Sequence, residues 1–117
     1  MKRLFVSVPV LNRETEDIQT DILKMKQIAE ENVGEPLKLI SSYFIGPIPA
    51  NCNNEIWRLS ESLKELSTAD VFIGIANAGK LGLRQCEAEN LIASLYDIER
   101  YSVIFPIDLK NGECSDG

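Results

Sequence analysis

The chain has 117 residues, 44% of them hydrophobic and 26% charged, and its 12 Lys and Arg against 18 Asp and Glu give a formal charge of −6. That is the size and mix of one globular domain with a proper core, and an acidic balance argues against duplex nucleic acid as the main partner, because neutralising phosphates needs a basic face. The chain contains no histidine, which removes Ser-His and Cys-His catalysis and most zinc sites together.

Any acid, base or nucleophile must therefore be a carboxylate, Lys, Tyr, Cys or Ser, and no motif calls for a cofactor or a metal. A small phosphorylated ligand stays compatible with the charge, since backbone N–H groups at a helix start bind anions without net positive charge. The opening MKRLFVSVPV has too short an apolar run for a signal peptide, and no run approaches the roughly 20 residues that span a bilayer. Three cysteines, Cys52, Cys86 and Cys114, form no CxxC pair, so a reducing cytoplasm is the expected setting.

In chain order, Leu4 to Val10 is rich in β-branched residues and reads as a buried strand. Thr15 is the expected N-cap of a first helix, with apolar residues recurring at Ile18, Ile22, Met25 and Ala29 and Gly34 closing it. Leu37 to Phe44 reads as a second strand, followed by a loop rich in Pro and Asn. Ile56, Leu59, Leu63 and Leu66 mark a second helix capped by Asn53 or Asn54. Asp70 to Ile75 reads as a third strand, Leu83 to Ile98 as a third helix and Ser102 to Phe105 as a fourth strand. The NGECSDG tail reads as frayed, leaving one domain over residues 1–110 and a tail over 111–117.

Strands alternating with helices, with continuous rather than alternating apolar runs, predict a three-layer α/β domain. It has a four- or five-stranded parallel sheet, Rossmann-like or flavodoxin-like, with the first strand inside the sheet. Ligands of such sheets bind beyond the carboxyl ends of the strands. Ser7 to Arg13, Tyr43 to Asn53 and Ile75 to Arg84 meet there, so the expected pocket is lined near Pro9, Phe44, Ala76 and Glu89, with Trp57 near its rim.

Two carboxylates, Glu87 and Glu89, stand early in the third helix. Ala88, Leu91, Ile92 and Leu95 define its apolar stripe, and each Glu falls to one side of that stripe, so periodicity does not choose between them. A carboxylate buried at this edge suits nucleophilic attack on an anomeric carbon. Asn77, Ala78, Gly79 and Gly82 form either a phosphate- or sugar-contacting turn or simply a turn. Trp57 serves base stacking or packing alike. Asp70, at the start of a buried strand, caps locally or bonds a ligand, and Cys86 suits packing better than nucleophilic attack.

Three blocks, FVSVPVLNRETEDI, WRLSESLKELSTADVFIGI and GLRQCEAENLIA, resemble the nucleoside 2-deoxyribosyltransferase superfamily, nearest its small bacterial and phage members. In that family a Cys-x-x-Glu spacing and an Ala four residues after the Glu mark the nucleophile, which implies Glu89 here, with Ala93 as the Ala. The resemblance implies a nucleoside or nucleotide substrate, cleavage or transfer at its N-glycosidic bond, and a homo-oligomer, with the apolar Phe44-Ile45 and Ile48 as candidate interface. Ser7, Pro9, Phe44, Trp57, Asp70, Asn77 and Gly82 are the candidate substrate-binding residues. Counting back eight from Asp70 reaches Ser62, where many members carry a carboxylate; Val8 stands where the family has Gly. The alternative expectation is a non-catalytic binder that sequesters or senses a nucleotide-derived signal.

Overall fold

The computed structural model describes residues 1–41, 47–107 and 114–115. Its elements are β1 (Arg3–Val6), α1 (Thr15–Val33), β2 (Lys38–Leu39), α2 (Asn54–Leu66), β3 (Val71–Ile75), α3 (Arg84–Leu95), β4 (Glu99–Val103) and β5 (Cys114–Ser115). The sheet runs β2-β1-β3-β4-β5. The first four strands are parallel and β5 pairs antiparallel with β4. β1 therefore lies inside the sheet, and two residues of the tail expected to fray pair at its edge.

Three layers follow from the alternation of side chains along the strands. Leu4, Val6, Val71, Ile73 and Ile75 pack with α1 residues Ile18, Ile22, Met25 and Ala29 on one face. Phe5 and Phe72 pack on the other face with Leu66 of α2 and Ala93 of α3, their rings stacked at 5.8 Å between centroids. Right-handed crossovers require this split, because the chain moves one way from β1 to β2 and the other way from β2 through β3 to β4.

The ends of the elements differ from the sequence reading in instructive ways. α1 is capped at Glu14, not Thr15, without a side-chain bond. The helix starts one residue early, at Thr15, and just before its cap stands Arg13, whose guanidinium is fixed by the Pro9 carbonyl and the Asp21 carboxylate. Gly34 ends it in the left-handed conformation at φ 86°, as a glycine permits. Asn53 caps α2 by accepting the Ile56 N–H at 2.9 Å. α3 stops at Leu95 rather than Ile98 because Asp97 turns left-handed at φ 56°, so β4 begins three residues before the expected Ser102. The expected second strand continues to Phe44, but residues 42–46 lie outside those described.

Candidate functional site

Period-2 alternation carries β1 past its last ladder pair. Phe5 faces α2 and α3, Val6 faces α1, and Ser7 returns to the α2–α3 side. There it meets α3, whose buried residues are Cys86, Glu89 and Ala93, three and four apart. Glu89 is 1% exposed, whereas Glu87 is exposed; the helical turn separates two carboxylates that periodicity left equal.

Glu89 is held from three directions. Ser7 Oγ donates to Oε1 at 2.6 Å, Gln85 Nε2 donates to Oε2 at 3.2 Å from one turn earlier, and Ser62 Oγ of α2 lies 2.6 Å from Oε2. Burial pushes the Glu89 carboxyl above the ordinary carboxylate range, and the bonds from Ser62, Ser7 and Gln85 oppose that shift without cancelling it. Ser62 Oγ also lies 2.9 Å from the Leu59 carbonyl. One hydroxyl proton serves one acceptor at a time. With Ser62 donating to Leu59, the short contact to Glu89 is filled by a proton on the carboxyl itself. With Glu89 ionised, Ser62 turns to it. Beside them Cys86 is pushed up to about 12, by burial first and then by Glu89, so it is a packed thiol and not a thiolate.

Two clefts open at the carboxyl edge. One, of about 720 Å³, is bounded by Val8–Leu11, by the start of α2 including Asn53, Glu55 and Arg58, and by Gly82–Cys86 with Ala88. Pro9 and Gly82 line it, and Gln85 both lines it and bonds Glu89. The other, of about 960 Å³, lies beyond β3 and β4 and takes in Ala76–Lys80, Glu87 and Asn90. The single expected pocket near both Pro9 and Ala76 is thus two, because Pro9 and Ala76 fall in different clefts. The smaller cleft is the candidate site: Glu89 lines neither cleft, but it bonds Gln85 and shares α3 with Cys86 and Ala88, all three of which line the smaller one, and the volume of that cleft suits a small organic ligand.

Other expected residues fall elsewhere. Asp70 stands at the amino end of β3, where its Oδ2 accepts the Arg3 N–H at 2.9 Å and its own N–H bonds the Arg3 carbonyl. It fastens β1 to β3 at the edge opposite the candidate cleft. Asn77 spends its amide on the backbone of Phe105, donating at 2.9 Å and accepting at 3.0 Å, which ties the turn after β3 to the end of β4. Trp57 is half-buried between cleft residues Ile56 and Arg58 and is not itself part of the lining. Phe44 lies outside the described residues.

Sequence reasoning missed Arg13, Asp21, Gln85 and Arg58. Arg13 organises the loop after β1: it donates to the Pro9 carbonyl at 2.9 Å, pairs with the nearly buried Asp21 and stacks 5.3 Å from the Phe105 ring centroid. A lone Arg directly after a strand-ending PVLN, eight residues before an Asp on the core face of a helix, was the available signal. Among the described residues no group of three or more Cys, Asp or Glu converges to hold a metal, and no helix is long and apolar enough to cross a membrane.

The chain is an α/β domain whose four parallel strands carry, at their carboxyl edge, a cleft with a buried carboxylate behind its lining residue Gln85. Comparison with protein-family models, characterised proteins and solved structures found no match to the chain.

Proposed function

We propose that the cleft binds a nucleoside or nucleotide and that Glu89 attacks its anomeric carbon, in a deoxyribosyltransferase-like reaction at the N-glycosidic bond. The observation that supports this reading is Glu89 itself: a carboxyl buried at the ligand edge, aligned by two serines and a glutamine, with no cation among its hydrogen-bond partners in the described residues. Such a placement is costly for a purely structural group and is common at reacting ones.

In the reaction an ionised Glu89 oxygen bonds to the anomeric carbon as the bond to the base nitrogen breaks, and the base leaves with the bonding pair and takes a proton from cleft water. A water or a second hydroxyl compound then attacks the same carbon and loses its own proton, and the Glu89 carboxylate departs unchanged. Gln85 stands between the cleft and Glu89, so its side chain must swing aside for contact. Ser7 and Ser62 hold the two oxygens meanwhile.

A second reading, a non-catalytic binder, is favoured by two observations: Glu89 is sealed at 1% exposure and its neighbour on α2 is Ser62 rather than a second carboxylate. Incubation with a panel of nucleosides and 5′-nucleotides, followed by chromatography and intact-protein mass spectrometry, separates the two. Release of free base and a glycosyl adduct that Glu89→Gln abolishes, with a rate loss of several orders of magnitude, support the enzyme. Retained intact ligand with no free base supports the binder, and neither binding nor turnover sinks both. Either protein would work in the cytoplasm as a homo-oligomer.

A further inference from the structure

We infer that the cleft takes a phosphorylated ligand, a nucleoside 5′-monophosphate rather than a free nucleoside, with Arg58 as the anchor of the phosphate and Arg84 beside it. This rests on the nucleoside reading of the cleft and adds the chemical class of the ligand.

Three observations carry it. Arg58 lines the cleft, and its Nε is buried with no hydrogen-bond partner among the described residues. A buried donor without an acceptor is rare and calls for one from outside the fold. Second, the chain is acidic at −6, yet the cleft lining sets two arginines, Arg58 and Arg84, against one carboxylate, Glu55. The only partner Arg84 has among the described residues' ion pairs is that Glu55, at 3.8 Å and with both side chains more than half exposed, a contact a phosphate readily replaces. Third, Arg58 stands one helical turn before Ser62, about 6 Å along α2, and Ser62 touches Glu89. Positions four apart share a face of the helix, so Arg58 and the serine that touches Glu89 stand on the same side of α2. The capped N-terminus of α2 also opens on this cleft and adds to the positive potential there without carrying the inference.

The test is titration calorimetry on the full chain with the four 2′-deoxynucleosides, their 5′-monophosphates and ribose 5-phosphate, for the native protein and for Arg58→Ala, Arg58→Lys and Arg84→Ala. We expect at least one monophosphate to bind about tenfold or more tightly than its nucleoside, with an affinity that falls as salt rises. Arg58→Ala should bring the ratio of monophosphate to nucleoside affinity down to about one, and Arg58→Lys should keep part of the advantage, since a point charge replaces a fork. Circular dichroism confirms that each variant folds, and Arg58→Lys preserves the test should Arg58→Ala fail to. Equal affinity for nucleoside and monophosphate overturns this inference and leaves the nucleoside reading standing. Arg58-dependent binding of ribose 5-phosphate with no nucleoside bound supports the phosphate anchor and sinks the nucleoside reading. No binding by any member of the panel overturns both.

Discussion

Ser62 has one proton and two acceptors within reach, and that constraint gives the site a measurable dependence on pH. Burial raises the Glu89 carboxyl above its ordinary 4.5, so above that pH the unfolded chain loses its proton first while the folded chain keeps it. The native state then binds more protons than the unfolded state, and the sign of the linkage makes stability fall as pH rises from 4.5 to the raised folded value, and level off beyond it. Glu89→Gln cannot titrate, so the variant should lack this slope and should gain on the native protein as pH rises, although other carboxylates shift both curves. Urea melts at a series of pH values check it; parallel curves for the two proteins would show that Glu89 is not held neutral. On the proposed enzymatic reading, attack needs the ionised carboxylate, so turnover should rise over the same window in which stability falls.

At the scale of elements, α3 shows both what the sequence made legible and why part of it misled. Its apolar spacing placed the helix correctly, but Leu91 and Leu95, read as the buried stripe, are 58% and 65% exposed. The buried side carries Cys86, Glu89 and Ala93 instead. A helix that turns a carboxylate inward inverts the pattern that periodicity relies on; only the spacing shared with the resembled family pointed to Glu89. The outward ridge Arg84, Ala88, Leu91, Leu95 repeats at four, three and four, the spacing of a helix–helix seam. A second copy crossing antiparallel over Leu91 and Leu95 would bury the leucines of both. We therefore expect a dimer by sedimentation at tens of micromolar, and Leu91→Glu with Leu95→Glu should dissociate it without unfolding the domain, since both side chains already face water. A monomeric native protein, or a dimer indifferent to the double substitution, rules this seam out.

Across the whole molecule, the fold was legible because four apolar strands alternating with helices admit few parallel arrangements, and β1 inside the sheet followed from crossover handedness. The site was less so. Three segments far apart in the chain, Val8–Leu11, Asn53–Leu59 and Gly82–Ala88, bound the cleft, and no local pattern announces that they meet, nor that α3 leaves Ala76 and Asn77 in another groove. That construction has a thermodynamic consequence. A ligand that bridges separate segments binds the folded chain alone and stabilises it by RT ln(1 + [L]/Kd), about 2.7 kcal/mol at a hundredfold excess over Kd, which for a domain of this size raises the melting temperature by several degrees or more. Loops at the ligand edge open more easily than the sheet, so amide exchange should slow in all three segments together when the best-binding nucleotide of the panel is added. Protection confined to Ala76–Lys80 and Arg100–Ile104 would move the site to the larger groove on the other side of α3, where Glu87 rather than Glu89 is the carboxylate at hand.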